Sequence, residues 1–192
     1  MIIAHHESKS IFSRGAKMKT NQYKSTRIYV ITSLFAALIF LATAYILHIP
    51  TPATGGYIHL GDSFLYLAAS MLPTPFAIAA GGIGESMSDA MTGSVVYALP
   101  TFLIKTAMVL CFSSVGKKII TKRNITAAVA AGVICIAGYY LTEVVLYRNF
   151  ISPLVEIPAN LVQATASAAV YFLVGNALDR VGIKNRVGVL SN

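Results

Sequence analysis

Apolar runs separated by short polar segments occupy most of the chain. A helix crosses a bilayer with about 20 predominantly apolar residues. Windows of roughly that length occur at 28–48, 61–79, 76–93, 96–115, 125–146 and 158–178. An open sheet cannot satisfy its backbone hydrogen bonds in lipid. The pattern therefore predicts an all-α integral membrane protein, a bundle of six transmembrane helices.

The composition excludes a soluble domain of this size. Of the 192 residues, 56% are hydrophobic and only 11% are charged, with a mean hydropathy of +0.68, which is too little charge to cover a water-exposed surface. One membrane domain over 28–180 accounts for most of the length. We expect residues 1–27 to be a basic, disordered cytoplasmic segment, within which Met18 is an alternative start, and 181–192 to be a basic cytoplasmic tail.

Positive charges are unevenly placed along the chain. Thirteen of the 15 Lys and Arg residues lie before the first predicted helix, between the fourth and fifth, or after the sixth. The positive-inside rule places such segments in the cytoplasm, so both termini are predicted to be cytoplasmic in a multi-pass protein of a bacterial-type plasma membrane. Because these charges flank membrane spans and are not interleaved with stacking aromatic residues, contact with anionic lipid is favoured over nucleic-acid binding.

Lys105 is an exception, because it falls inside the fourth predicted helix. A charged side chain near the bilayer centre costs about 2.5–3.5 kcal/mol on insertion scales, so such a residue usually faces a cavity or a partner. The other exception is Arg148, in the predicted outer loop between helices five and six. Cys111 and Cys135 lie inside predicted spans without the spacing of metal ligands, so we expect neither a disulfide nor a metal site.

The polar residues within the spans are predicted to meet in one layer. Successive helices alternate in direction, and a rise of about 1.5 Å per residue gives each side chain a depth. On this basis the outer halves of five helices carry acids, tyrosines and amides, whereas the inner halves offer little beyond Ser, Thr and Cys. An outward-facing, water-accessible pocket explains this asymmetry. The predicted substrate-binding residues are His59, Asp62, Glu85, Asp89, Tyr97, Lys105, Tyr139, Glu143, Asn160 and Gln163.

Simpler roles remain open for single members of this set. Glu85 and Asp89 share a helix face because they are four residues apart, and with Lys105 they could form a structural ion pair instead of a site. Asp62 could cap the N-terminus of helix two. The Pro- and Gly-rich connection that holds Tyr57 could be a lid over the pocket or an ordinary connector.

No motif of a catalytic or ATP-hydrolysing site is present. The sequence lacks Gly-x-Ser-x-Gly, His-Glu-x-x-His and Gly-x-x-x-x-Gly-Lys-Ser/Thr, and it lacks the paired broken helices of a self-sufficient secondary transporter. The chain is therefore predicted to be a binding protein that needs another protein for energy, not an enzyme. A membrane-embedded enzyme that uses Glu85 and Asp89 is the alternative, and a structural scaffold subunit comes third.

Three stretches carry a resemblance to a known family. They are "SLFAALIFLATAY" in helix one, "GGYIHLGDSFLYLAASMLP" across the first loop and helix two, and "GGIGESMSDAMTGSVVYALPTFLIKTAM" across helices three and four. With six predicted helices in a chain of this size, the sequence resembles the substrate-binding S components of energy-coupling factor (ECF) vitamin transporters. The resemblance covers roughly residues 28–180 and is strongest to the riboflavin-type and hydroxymethylpyrimidine-type branch.

The resemblance implies a partner complex. An S component captures a vitamin outside the cell and docks onto a transmembrane coupling subunit driven by two cytoplasmic ATPases. ATP is then used by the partner subunits, and no cofactor is expected on this chain. A small-x-x-x-small pattern on helix one contacts the coupling subunit in this family. The matching positions here are Ser33 and Ala37, with Ser in place of the usual Ala.

The residue types of the predicted pocket indicate the kind of ligand. Tyrosine faces stack on flat rings, and carboxylates accept hydrogen bonds from hydroxyl, amino or ring N–H groups. We therefore expect a flat, neutral or weakly basic heteroaromatic vitamin or precursor, such as hydroxymethylpyrimidine or a pyridoxine-like compound. Riboflavin is the next choice. A dicarboxylate such as folate fits less well, because only Lys105 and Arg148 could meet its charge.

Overall fold

The protein is an antiparallel helical bundle with one small hairpin. The structure, a computed structural model, describes residues 26–46, 48–51 and 56–187. Within these ranges the six longest helices are α1 Thr26–Ala44, α2 Gly61–Met71, α3 Thr74–Thr92, α4 Ala98–Cys111, α5 Lys122–Tyr147 and α6 Ile157–Arg180. A short helix, α7, follows at Ile183–Val187, and 3-10 turns precede α4 at Val95–Tyr97 and α6 at Ser152–Glu156.

A two-stranded hairpin connects α1 to α2. Strand β1, Ile49–Thr51, pairs antiparallel with β2, Gly56–Ile58, so that Ile49 lies opposite Ile58. The sequence predicted only a loop here, because strands of three residues are too short to show an alternating pattern. The hairpin is the one strand pair among the described residues. It belongs to the connection that the sequence proposed as a lid, whose residues 52–55 lie outside the described part.

Local residue preferences explain several helix ends. Proline at the start of a helix costs no hydrogen bond, and it forces the preceding residue into an extended conformation. Leu72 is extended, with ψ of 151°, and α3 begins just after Pro73. The same helix ends at Gly93, whose φ of +96° is readily adopted only by glycine. At the start of α5, the Thr121 hydroxyl accepts a hydrogen bond from the Asn124 N–H at 3.2 Å.

The helices differ in length more than the predicted windows do. Among the described residues, three segments are long and apolar enough to cross a membrane, at Thr26–Ala44, Lys122–Tyr147 and Ser152–Arg180, and Val95–Cys111 is a shorter apolar helix. The predicted window 61–79 was wrong as a single helix, because the chain turns at Leu72 and Pro73. With 11 residues, α2 is roughly 16 Å long, about half of a bilayer core. Six crossings remain a prediction.

Helix α2 forms the centre of the bundle. Every one of its residues except Phe64 is buried, which explains a sequence that is apolar on all faces although the helix is short. Glycines on α3 allow the close packing around it. A Cβ on Gly81 would lie 2.8 Å from Leu65 of α2, and a Cβ on Gly84 would lie 2.9 Å from the Ala36 carbonyl oxygen of α1. The glycines of "GGIG" therefore let three helices meet.

The outer surface of the bundle is apolar. Leu99 and Leu103 on α4, Val129 and Val145 on α5, and Leu173 on α6 each expose 60–75% of their surface. Soluble monomers rarely expose continuous apolar surface on this scale. The surface is that of a protein surrounded by lipid, in agreement with the membrane class predicted from composition.

Basic segments meet at one end of the bundle. The Arg27 guanidinium donates a hydrogen bond to the Arg186 carbonyl oxygen at 2.9 Å, and the Lys184 ammonium donates to the Lys118 carbonyl oxygen at 3.3 Å. The start of α1, the α4–α5 loop and α7 therefore share one end. The Asp179 carboxylate also lies there. Of the segment 1–27 that was expected to be disordered, residues 1–25 fall outside the described residues, and Thr26 and Arg27 belong to α1. Residues 188–192 of the expected tail 181–192 also fall outside them.

This end is more polar than the sequence predicted. Asn124 is fully buried and holds the α4–α5 loop, accepting from the Ser113 N–H at 2.9 Å and donating to the Ile119 carbonyl oxygen at 2.9 Å. The Ser70 and Tyr171 hydroxyls are hydrogen-bonded at 2.8 Å. The expectation of little beyond Ser, Thr and Cys was wrong here, because a folded loop needs polar partners for its buried backbone groups.

Candidate functional site

A polar pocket lies at the opposite end from the basic segments. It is formed by the hairpin connection, by the starts of α4 and α6 with the 3-10 turns before them, and by the final turns of α3 and α5. These helix ends meet because successive helices run in opposite directions. The cavity volume of the pocket is about 30 Å³, so the pocket is narrow. Its lining residues are Tyr57, His59, Glu85, Asp89, Ser94, Tyr97, Thr101, Tyr139, Glu143, Glu156, Asn160 and Gln163.

The structure brings the sequence-predicted residues together. Eight of the ten line this pocket, namely His59, Glu85, Asp89, Tyr97, Tyr139, Glu143, Asn160 and Gln163. The other two, Asp62 and Lys105, lie directly beneath it and contact lining residues. Their side chains are fully buried. The prediction of one polar layer thus agrees with the arrangement of these side chains, while substrate binding by them stays a prediction.

An ion cluster forms the floor of the pocket. The Lys105 ammonium lies 2.6 Å from Asp62 Oδ1 and 3.0 Å from Glu85 Oε2, and all three side chains are at most 1% exposed. Burial of a charge is costly unless it is paired and hydrogen-bonded. Lys105 of α4 therefore holds α2 and α3 together through two carboxylates. Its ammonium also lies 5.4 Å from the centre of the Tyr139 ring, within cation–π range.

Gln163 extends this cluster to α6 and to the hairpin. Its amide nitrogen donates to Asp62 Oδ2 at 3.0 Å, and its amide oxygen accepts from the His59 backbone N–H at 3.1 Å. Asp62 lies in the first turn of α2, where a carboxylate is favourable, but it makes no capping hydrogen bond there. It is bonded to Lys105 and Gln163 instead. Five segments of the chain, namely α2, α3, α4, α6 and the hairpin connection, are thus joined at the pocket floor.

His59 is a neutral imidazole in this site. Burial lowers the pKa of His59 to about 3, well below the usual value near 6.5. Its Nδ1 accepts a hydrogen bond from the Gly61 N–H at 3.1 Å, so the proton lies on Nε2. Nε2 faces Glu85 Oε2 at 3.7 Å. The ring therefore presents an N–H to Glu85 but adds no positive charge to the pocket.

Tyr57 fastens the hairpin over the pocket. Its hydroxyl donates to Asp89 Oδ1 at 2.6 Å and lies 3.2 Å from the Ser88 hydroxyl. Burial and the neighbouring Asp89 raise the pKa of Tyr57, so its hydroxyl stays protonated and remains a donor. The Tyr57 ring stacks on His48 with centres 3.9 Å apart. Strand β2 is therefore attached to α3 across the pocket.

Aromatic hydroxyls line the remaining wall. The Tyr97 hydroxyl lies 3.5 Å from Glu143 Oε1 and 3.2 Å from the Tyr147 hydroxyl. The Thr101 and Tyr139 hydroxyls are 3.1 Å apart. This wall offers ring faces for stacking together with hydroxyl and carboxylate oxygens for hydrogen bonds. The arrangement suits a flat, polar small molecule.

Sequence reasoning omitted four lining residues from the predicted site: Tyr57, Ser94, Thr101 and Glu156. Tyr57 was noticed only as part of the connection. The four-residue spacing of Tyr97, Thr101 and Lys105 places Thr101 on the same helix face, but Thr101 was left out of the predicted set. Glu156 belongs to a 3-10 turn just before α6, yet it is only 6% exposed. A residue in such a turn follows no helical period, so the periodic pattern could not identify it.

The site is built for hydrogen bonding and stacking. Within residues 26–46, 48–51 and 56–187, no three His, Cys, Asp or Glu side chains are grouped in a way that could hold a metal ion. Glu85 is held against Lys105 and Asp89 against Tyr57, so both acids proposed for an enzyme have structural partners.

Known proteins share similarity with nearly the whole helical region. A family model described as ECF-type riboflavin transporter, S component, matches residues 23–180. A protein of Pyrococcus woesei named "Uncharacterized protein in gap 3'region" is 28% identical over 148 residues, which are 76% of this chain and 95% of that protein. The region matched by the family model contains α1 to α6 and every residue that lines the pocket.

Proposed function

Because this chain belongs to the ECF-type riboflavin transporter S component family, we propose that it captures a water-soluble vitamin or vitamin precursor for an ATP-driven importer. The family consists of membrane transporter subunits and not of enzymes, so the enzyme alternative is not pursued. In this proposal the ligand enters the pocket from outside the cell. A transmembrane coupling subunit and two cytoplasmic ATPase subunits then drive its release inside.

One observation carries the proposal: five segments of an otherwise apolar bundle direct polar side chains into a single pocket at one end. Polar side chains inside a membrane protein are costly and usually serve function. The basic segments at the other end support an orientation in which the pocket faces outward. With six crossings, both termini would lie in the cytoplasm, and α2 would complete its crossing inside the protein instead of facing lipid.

The pocket favours a small nitrogen heterocycle as ligand. Tyr97 and Tyr139 can stack on a flat ring of the ligand. Asn160, Gln163 and the carboxylates can form hydrogen bonds with hydroxyl and amino groups of the ligand. Hydroxymethylpyrimidine or a pyridoxine-like compound is our first choice of ligand. Riboflavin, which the description of the family names, is our second choice.

The experiment is reconstitution of the chain with its partners. We expect an affinity-tagged chain to co-purify with a coupling subunit and two ATPases from its host. Proteoliposomes that contain the whole complex should accumulate the ligand only when ATP is present on the ATPase side, and the chain alone should bind without accumulating it. A chain that purifies without such partners from cells that contain them, or uptake that does not depend on ATP, would contradict the proposal.

A further inference from the structure

An apolar groove runs between α5 and α6 on the surface of the bundle. Its cavity volume is about 450 Å³, which lies within the range of small-molecule sites in proteins, about 300–1,000 Å³. The two helices are in contact at its base, where a Cβ on Gly132 would lie 3.4 Å from Ala164 Cβ. Val129 and Leu161, at its rims, are each more than half exposed. The groove is therefore a narrow cleft between two touching helices.

The groove lies in a part of the chain that hydrocarbon surrounds. Both of its helices belong to segments long and apolar enough to cross a membrane. Its single hydroxyl group, that of Thr165, donates to the Leu161 carbonyl oxygen at 2.8 Å, so the groove offers dispersion contacts and no free donor. A helix is about 10–12 Å across with its side chains and would lie on the rims. A chain of methylene groups is thin enough to enter.

Basic residues lie at one end of the groove. Lys122, the first residue of α5, and Arg180, the last of α6, are both exposed. These helix ends are adjacent, because the Asp179 carboxylate accepts from the Ile119 and Ile120 N–H groups at 2.7 and 2.9 Å. Among the described residues, neither Lys122 nor Arg180 forms a salt bridge. Two cations without an acidic partner thus stand where the groove approaches the membrane surface.

The spacing along each helix places these cations in line with the groove. Arg180 follows Phe172 by two steps of four residues, and Lys122 precedes Val129 by seven, so each shares a helix face with a lining residue. At a rise of about 1.5 Å per residue, Phe172 lies about 12 Å from Arg180 and Val129 about 10 Å from Lys122. A phospholipid has the same arrangement, because its charged headgroup lies at the surface and its acyl chains descend through about 15 Å, half of the hydrocarbon core.

We propose that the α5–α6 groove binds an anionic phospholipid, with an acyl chain in the groove and the phosphate between Lys122 and Arg180. Basic pockets between membrane helices on the cytoplasmic side recognise anionic headgroups. The phosphate also offsets Lys122 and Arg123 in the first turn of α5, where cations oppose the helix dipole. The groove shares no residue with the polar pocket or with Ser33 and Ala37, so the lipid stabilises the folded chain without taking part in uptake.

Three lipids separate the contribution of the headgroup from that of the acyl chain. They are dioleoylphosphatidylglycerol, dioleoylphosphatidylcholine and dihexanoylphosphatidylglycerol, titrated onto the delipidated full-length chain in detergent and measured by native mass spectrometry. The first should bind at least about tenfold more tightly than either of the others, because it alone combines a net negative headgroup with long chains. An excess of inorganic phosphate should not displace it. Equal binding of the phosphatidylcholine overturns the role of charge, equal binding of the short-chain lipid overturns the role of the groove, and displacement by phosphate overturns a lipid ligand.

Charge variants test the position of the phosphate. Lys122→Gln with Arg180→Gln should reduce the preference for dioleoylphosphatidylglycerol over dioleoylphosphatidylcholine to about threefold or less. Lys117→Gln with Arg186→Gln is the matched control, because it removes two exposed positive charges from the same end. Arg186 lies beside α1, since the Arg27 guanidinium donates to its carbonyl oxygen. The control should keep the wild-type preference. An equal loss in both double variants overturns the site, because the lipid would then be attracted by the charge of the whole end.

A groove variant tests the position of the acyl chain. Ala168→Phe fills the groove from α6 and should weaken binding of dioleoylphosphatidylglycerol at least about tenfold. Ala130→Phe adds the same ring at an exposed position of α5 outside the groove and should keep the affinity within about twofold of the wild-type value. Unchanged affinity in a folded Ala168→Phe protein overturns the groove as the binding site. If this variant does not fold, the short-chain lipid and the charge variants decide. A chain that binds none of the lipids overturns the inference and leaves the vitamin-capturing function standing.

Discussion

Lys105 is a fully buried charged residue at the floor of the pocket. A lone ammonium in this position would be costly, yet Asp62 and Glu85 both lie within 3.0 Å of it. The sequence identified Lys105 as anomalous from its position in an apolar run, and proposed acids as its partners. It could not identify Asp62 as the closer partner, because that depends on how α2 and α4 cross.

Removing the Lys105 ammonium should destabilise the protein. In Lys105→Ala, two buried carboxylates lose their shared partner, and breaking a buried ion pair in this way costs about 3–5 kcal/mol. We expect a clear fall in the thermal unfolding temperature of the purified protein and weaker ligand binding. The triple variant Lys105→Met, Asp62→Asn, Glu85→Gln, which has no charges at these positions, should recover much of the lost stability. Wild-type stability in Lys105→Ala would contradict the ion cluster as the support of the pocket floor.

At the scale of the elements, the apolar pattern predicted where helices occur better than where they end. Windows of about 20 residues assume that each helix faces lipid along its length. Helix α2 departs from this assumption, because it is surrounded by other helices and ends after 11 residues. The hairpin and the 3-10 turn that holds Glu156 are too short for any periodic signal. Most of the site was predictable because its residues lie on long helices whose directions alternate.

Helix α1 presents two different faces. Its inner face meets α3, where Gly84 approaches the Ala36 carbonyl oxygen. Ser33 and Ala37 lie on the exposed face, four residues apart. Small residues of this kind allow a partner helix to approach closely. The proposed contact with the coupling subunit therefore does not compete with the packing of the bundle.

Enlarging this exposed face should separate transport from binding. Ser33→Trp and Ala37→Trp each place a bulky ring where a partner helix would pack. We expect ATP-dependent uptake by the reconstituted complex to fall at least about tenfold while the affinity of the isolated chain for its ligand stays within about twofold. Val129→Trp, at an exposed position on α5, is the control and should leave uptake unchanged. Full uptake in both α1 variants would rule out this face as the docking surface.

Acidic and basic residues are separated between the two ends of the molecule. Acids gather around the pocket at one end, while basic residues of α1, the α4–α5 loop and α7 meet at the other. The basic end suits the cytoplasmic leaflet, whose lipids are anionic. Charge counts along the sequence were enough to predict this asymmetry. Only the structure shows that one group of carboxylates encloses a cavity, because their grouping depends on the packing of five segments.

The small-molecule content of the purified protein tests the central claim most directly. Mass spectrometry should find about one vitamin-like molecule per chain in the wild-type protein and in Asp179→Asn. A double variant of the pocket wall, Glu143→Gln with Asn160→Leu, should fold and enter the membrane but retain at least about tenfold less of that molecule, because the wall loses one carboxylate charge and one hydrogen-bonding amide. No retained molecule in the wild-type protein, or equal amounts in the wild-type protein and the double variant, would contradict a ligand-capturing pocket at this end of the bundle.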